Sequence, residues 1–454
     1  MQSRASAFYK WFPVLPFIFY WIFSALVFQF GPFINNNLYI STYFYLLSMF
    51  FLFLFFYYLG LKCTKSCHTH KSEFIAPLSI LKWTSLFAFM GTLLFVFDRI
   101  NSGAGSLDLV ANEMANLRED FAKNTTWLTT IAVIPQSFRL LAFASYFFCL
   151  LKDVKIPKLN HLMIFGIIVL DIINMVLTAS RGTLFWTITY LFFYLVFCKR
   201  LSLVNLILSK KYLIYNIIIF VAIVLSFSYF YFVANNRTVE NALAFSGKQA
   251  SSSMRYPSLF EKMDYASIGT IHQLNSYLTH EFEYVNVFVK EAELVYFDPI
   301  GALGIRVIVQ INRFFPEYIV PSWVRALKWY ESAGLNPSGW PSIFGWPLAE
   351  FGLLGTVFFF VALGFISGKC VGSYFKTKEF GWFALTFLVY VCLNMSFSWI
   401  LTDFDQYMCL FFAVILIMRI KLPCFMRRSG SAKTVILPPE GGLDRSHAKN
   451  IVSR

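Results

Sequence analysis

The sequence predicts an all-α protein: a polytopic helical integral membrane protein with about ten transmembrane helices and one large outer loop. Three observations lead there. The 454 residues are 58% hydrophobic and only 14% charged, with a mean hydropathy of +0.61, where an ordinary soluble domain carries about a quarter charged residues. Ten apolar runs, at 12–30, 38–61, 76–97, 126–151, 161–178, 183–198, 213–234, 346–367, 380–400 and 405–420, match the roughly 17–25 residues that cross hydrocarbon. Lys and Arg are distributed unevenly about these runs, as membrane topology demands.

Taken in order, the first run is followed by "GPFINNN" rather than a small-x-small cleavage site, and reads as a retained span. Placing the N-terminus in the cytoplasm gives inner segments rich in cations: Arg4 and Lys10, then Lys62, Lys65 and Lys71, then Lys152, Lys155 and Lys158, then Lys199, Arg200, Lys210 and Lys211, then Lys369, Lys376 and Lys378, and a basic C-terminal stretch from Arg419. The short outer segments hold only Arg99, Arg118, Lys123 and Arg181. Both termini are therefore expected in the cytoplasm. The net charge of +14 is mostly this bias and does not point to nucleic acid.

None of the eight cysteines falls in an outer segment, which suits an oxidising outer compartment. The cluster Cys63, Cys67, His68 and His70 has metal-ligand types. Its spacing fits no usual zinc pattern, which pairs two separated ligand couples, so no metal is expected.

The domain plan follows from the runs: spans one to seven over 1–234, a large loop over 235–345, spans eight to ten over 346–426, and a loose tail over 427–454. Loops that long without a role are uncommon. Periodicity within it predicts helices at 259–278 and 304–315. In the second, Arg306, Gln310 and Arg313 share one face, and the apolar opposite face suits the membrane interface.

The candidate functional residues are the charges out of place. Arg181 stands at the tip of the "TASRG" hairpin between spans five and six, Arg237 just beyond span seven in "VANNRTVEN", and Arg255 in "SSSMRYP". These can meet at the outer headgroup level, where guanidinium is the preferred planar partner of phosphate oxygens. Snorkelling to ordinary lipid phosphates is the alternative. Arg139 and Asp171 fall inside spans four and five. Intramembrane charges need partners, and the simplest pairing is with each other, beside a sharper reading of Asp171 as catalytic. Glu350, near the outer mouth of span eight, is a candidate general base. His272 and His280 are rival bases, and Asp403 and Asp405 complete the acids. No Walker motif, Gly-rich dinucleotide loop or HExxH site occurs, so no cofactor is expected and any leaving group arrives with the substrate.

The "TASRG" hairpin, the loop end "VPSW…GLNPSGWPSIFGWPLAEFGLLG" and the many-span plan together resemble the Wzy-type O-antigen polymerases of Gram-negative bacteria. The chain departs from the Gly-Glu-x-Tyr pair often seen there, with Trp346 after Gly345 and the acid displaced to Glu350. The resemblance implies a membrane glycosyltransferase C-like fold in the bacterial inner membrane with the large loop in the periplasm. It implies transfer of a growing glycan from undecaprenyl diphosphate to an incoming lipid-linked repeat unit, in lipopolysaccharide biosynthesis. Arg181, Arg237 and Arg255, with Arg139, would bind the diphosphate, and Glu350, His272 or Asp171 would act in catalysis. Its partners would be the undecaprenyl-diphosphate-linked repeat units, membrane lipid and a chain-length regulator protein. The O-antigen ligase shares topology and donor and stays open as an alternative. So does a lipid-linked oligosaccharide flippase or polysaccharide transporter, although such a protein should line several spans with charge in two similar halves.

Overall fold

Apolar helices account for nearly all the ordered elements, and their boundaries follow the hydropathy of the chain. The structure, a computed structural model, describes residues 8–34, 38–64, 77–101, 126–178, 189–198, 253–298, 321–335, 342–394 and 404–418. In chain order the helices are α1 Leu15–Phe30, α2 Ile40–Lys62, α3 Pro77–Arg99, α4 Trp127–Gln136, α5 Arg139–Leu151 and α6 Lys158–Thr178. A short π-helical turn covers Tyr194–Cys198. Then follow α7 Tyr265–Glu291, α8 Pro321–Ala333, α9 Ser342–Thr377, α10 Phe380–Asn394 and α11 Phe404–Ile417. Among the described residues no strand forms, only an isolated bridge between Phe33 and Met254.

Four helical stretches are long and apolar enough to cross a membrane: α2, α3, the α4–α5 pair and α9. The surface of α2 carries the same message. Phe44, Phe51 and Phe55 are 66%, 64% and 58% exposed, while Tyr45, Met49, Phe53 and Tyr57 on the opposite face are buried. An exposed face of large aromatics over a whole helix is a patch that water disfavours and lipid accepts. The run at 213–234 and most of that at 183–198 lie outside the described residues.

Two of the apolar runs are not single straight helices. The run at 126–151 breaks at Ser137 and Phe138 into α4 and α5. Pro135 lacks the N–H that would continue the ladder, and the Ser137 hydroxyl turns back to the Ile134 carbonyl at 2.5 Å. Gly91 of α3 lies against this break, where a Cβ would stand 2.2 Å from the Gln136 nitrogen. The run at 346–367 extends over Ser342–Thr377 and is interrupted at Gly352, whose φ of 66° is outside the helical region. Only glycine adopts such a backbone without strain.

α9 is also the spine of the fold. It packs along α2 over most of its length, and against α10, α7 and α8. The seam with α2 is made by glycines four residues apart: Gly364, Gly368 and Gly372 on α9, facing Gly60 on α2. A Cβ on Gly368 would stand 2.0 Å from the Tyr57 carbonyl oxygen, and one on Gly364 2.4 Å from that of Phe53. Small residues at this spacing let membrane helices approach backbone to backbone. We expect Gly368→Val to abolish this packing, with loss of monodisperse detergent-solubilised protein on size-exclusion chromatography, whereas Ile366→Val, on the exposed face of the same helix, should leave the elution profile unchanged. A wild-type profile for Gly368→Val would refute the close seam.

A second group of helices forms around α3, which packs against α4, α5 and α6; α5 in turn meets α10 and α11. An aromatic core joins the groups. Phe193 lies among Phe12, Phe147, Phe383, Phe387 and Tyr390, with the Tyr390 ring centroid at 4.9 Å.

The helix expected at 259–278 is displaced. Pro257–Leu259 is a 3-10 turn, and α7 starts only after Asp264, whose side chain accepts from the Ser267 N–H at 3.0 Å as N-cap. It then runs thirteen residues beyond the expected end, because Phe282, Val285 and Phe288 on one face are buried. α7 lies against α1, α2, α8 and α9. Within the 235–345 segment, α7 therefore belongs to the core. The stretch 304–315 lies outside the described residues.

Candidate functional site

The break at Gly352 creates unpaired backbone groups in α9, and a strap of chain after α7 satisfies them. The N–H of Leu353 donates to the Glu293 carbonyl at 3.0 Å, that of Leu354 to the Leu294 carbonyl at 3.0 Å, and the Asp298 N–H to the Glu350 carbonyl at 2.7 Å. Non-helical backbone at membrane depth is tolerated where protein buries it. Here a Cβ on Gly352 would stand 2.8 Å from the Tyr296 nitrogen, so the strap fits closely over the interruption.

Glu350 sits two residues before this break. It is 1% exposed, and its Oε2 has no hydrogen-bond partner among the described residues. Asp298 of the strap, itself buried, acts on it electrostatically, as does Glu350 on Tyr407. A buried carboxylate oxygen without a compensating donor is costly, which makes Glu350 a candidate functional residue.

Arg325 of α8 completes the arrangement. Its Nη2 donates to the Leu348 carbonyl at 3.3 Å, and its Nη1 to Glu293 at 3.1 Å. The guanidinium lies over Tyr296 at 3.7 Å and over Trp329 at 4.7 Å, contacts that fix its plane.

The other predicted residues are placed elsewhere. Arg139 is the first residue of α5, and its guanidinium is shared by two carboxylates, Asp171 of α6 at 3.2 Å and Asp405 of α11 at 3.0 Å. The expected partner is there, together with a second that the sequence did not suggest. The cation is thus already offset by two anions, which favours a structural over a phosphate-binding role. Asp171 is likewise engaged through both oxygens with Arg139.

Arg255 and His272 each contact the chain at the end of α1. The backbone N–H of Arg255 donates to the Pro32 carbonyl at 2.8 Å and its Nη1 to the Gln29 carbonyl. The His272 ring packs edge-on against Phe33 with centroids 4.9 Å apart. Burial lowers the pKa of His272, and that of His280, which bonds the Ser276 carbonyl through Nδ1 at 2.6 Å. His272 and Glu350 are therefore built on different elements. Arg181, Arg237 and Asp403 lie outside the described residues, as do Cys67, His68 and His70. Among the described residues, no three His, Cys, Asp or Glu side chains converge as a metal-binding group.

Three charged residues escaped the sequence reading: Asp298, Arg325 and Glu281. The signal for Glu281 was an acid inside "EFEYVNVFV", the apolar half of α7. It is 1% exposed and accepts from the Tyr20 hydroxyl at 2.7 Å. Burial, before any other cause, pushes its carboxyl up to about 8. The sign follows directly. A carboxyl with a raised folded-state pKa leaves stability intact below its unfolded value near 4.5 and drains it as pH climbs through the folded value near 8. We expect the thermal midpoint of wild-type protein, relative to Glu281→Gln, to fall progressively between these limits. The comparison removes the opposing contribution of His272 and His280. Parallel curves for the two proteins would contradict the burial argument.

Comparison with protein-family models, curated proteins and solved structures finds no match to this chain.

Proposed function

We propose that the chain is a membrane glycosyltransferase, an O-antigen polymerase that extends lipid-linked glycan at the periplasmic face of the bacterial inner membrane. In this reading ten spans leave both termini in the cytoplasm, and residues 235–345 belong to the periplasmic side. The observation that carries the reading is Glu350: a buried carboxylate with an unpartnered oxygen at a helix interruption, roofed by the strap from that same segment. The resemblance in the "TASRG" hairpin and in the stretch containing Glu350 supports it.

The chemistry requires little else of the chain. The acceptor hydroxyl of one lipid-linked unit attacks the anomeric carbon of the other. The new bond from acceptor oxygen to that carbon forms as the bond from the carbon to phosphate oxygen breaks, and the diphosphate departs with the electron pair. Glu350 takes the hydroxyl proton. Arginines stabilise the charge that develops on the leaving group, with Arg181, Arg237 and Arg255 as the residues proposed from the sequence. A chain-length regulator is the protein partner such a polymerase would have.

The test is the lipopolysaccharide banding pattern. Deletion is expected to leave lipid A-core bearing a single repeat unit and no ladder, and Arg181→Ala at normal protein level should do the same. Its loss should cost about a hundred- to a thousandfold in rate, the usual effect of removing one charge-stabilising donor. Core carrying no repeat unit at all would favour ligase or flippase instead, and an unchanged ladder would sink all three.

A further inference from the structure

Arg325 stands out among the described arginines because it is built in rather than merely buried. Its side chain is 13% exposed, its plane is set by Tyr296 and Trp329, and one edge is fixed by the Leu348 carbonyl. Its Nε has no hydrogen-bond partner among the described residues. The acid on Nη1 is unlike the arginine: Glu293 is 61% exposed, a long side chain reaching back from the surface. A rigid, largely desolvated guanidinium whose Nη1 is held only by a long acid reaching from the surface presents a charge-assisted donor that an oxyanion can take over.

What flanks this donor indicates the kind of oxyanion. The residues immediately after Glu293 on the strap are apolar and uncovered: Leu294, Val295 and Phe297 are 61%, 68% and 72% exposed. Phe297 reaches the ring of Phe351, with centroids 6.1 Å apart. Beyond the Gly352 break the same surface continues along α9 through Leu353, Leu354 and Phe358, all exposed. An oxyanion site at one end of an uncovered apolar track, on a helix long enough to cross a membrane, matches an amphiphile with a charged head and a hydrocarbon chain.

We infer that Arg325 is the head-group site for a phosphate-bearing lipid, and that Glu293 is an internal stand-in which the phosphate displaces. The hydrocarbon chain lies against the strap and the Leu353–Phe358 face of α9. This rests on the reading of the chain as an enzyme of lipid-linked sugars, and it adds a residue and a gate that the sequence did not offer. It also puts the head group beside the strap that carries Asp298 to Glu350, so binding of the lipid and arrangement of the base are joined through six residues of chain.

The test uses full-length protein in phosphatidylcholine nanodiscs, with farnesyl diphosphate as probe and calorimetry as readout. Arg325→Gln should weaken binding by about tenfold or more, the worth of one charge-assisted contact. Glu293→Gln should tighten it by up to about fivefold, because the competing exposed pair is gone. Glu293 is exposed, so its variant tests the gate even if Arg325→Gln does not fold; Arg325→Lys, which keeps the charge and loses the plane, should be weakened also. Farnesol and inorganic pyrophosphate should each bind more weakly than farnesyl diphosphate. Discs doped with phosphatidylglycerol separate the sources: competition there supports the site with an ordinary lipid head as its occupant, and its absence supports the prenyl diphosphate. Unchanged affinity in Arg325→Gln, weakened affinity in Glu293→Gln, or equal binding of farnesol overturns the inference. An intact ladder in the deletion strain overturns the polymerase proposal instead, leaving the binding result standing.

Discussion

Glu350→Gln is expected to yield a folded, membrane-inserted protein that makes no O-antigen ladder, with turnover down by about a hundred- to ten-thousandfold. The substitution keeps volume and removes only the capacity to take a proton. Because Glu350 is 1% exposed with one oxygen unpartnered, the amide, of the same volume and without a charge to bury, should cost little stability. Gel banding of lipopolysaccharide, with an immunoblot for protein level, reads the result. A normal ladder in Glu350→Gln would remove the base assignment and leave His272 and His280 as the rival candidates. A missing ladder with degraded protein would be answered by Glu350→Asp, which retains the acid and should restore part of the activity.

Removing the guanidinium of Arg139 should have the largest effect on stability. Its two partners come from α6 and α11, and all three side chains are at least 85% buried. Arg139→Met leaves Asp171 and Asp405 as neighbouring anions with no cation between them. Breaking a buried ion pair from one side costs about 3–5 kcal/mol, and here two acids are stranded. The expected outcome is a sharply lower thermal midpoint in detergent and poor yield. Combining Arg139→Met with Asp171→Asn and Asp405→Asn should recover most of the loss, since exchanging the whole cluster for neutral groups removes the desolvation penalty together with the attraction. If Arg139→Met melts with wild-type protein, the cluster carries no stability, and a phosphate role for this arginine regains its force.

How much of this was legible before the structure depends on the range of the interaction concerned. Helix limits were readable because hydropathy changes sharply at them: α2 ends on Lys62, and α3 begins at Pro77. The interruptions at Ser137 and Gly352 were missed because a run of apolar residues looks continuous to a hydropathy window, although Pro135 and Gly352 were both in view. The pairing of Arg139 with Asp171 was foreseeable, since an intramembrane charge demands an opposite one. Asp405 was not, being 266 residues from Arg139 and brought in only by the packing of α11 on α5. Glu350 stood out by its position in a span, but Asp298 and Arg325 acquire meaning only from the strap and the aromatic pair around them, which nothing local in "YFDP" or "SWVRALKW" specifies. The glycine spacing of α9 was in plain sight in "GFISGKCVG". Its meaning emerges only with α2 packed against it.

The glycine seam between α2 and α9 has a bearing on how the protein is made. α2 leaves the ribosome early, and Gly372 follows it by some three hundred residues. At about 5–20 residues per second the groove beside Phe53 and Tyr57 waits on the order of 15–60 s for the helix that fills it, covered in the meantime only by lipid. This close-packed interface is thus among the last to form. A nascent chain halted anywhere before α9 offers the quality-control proteases of its membrane an unfilled slot.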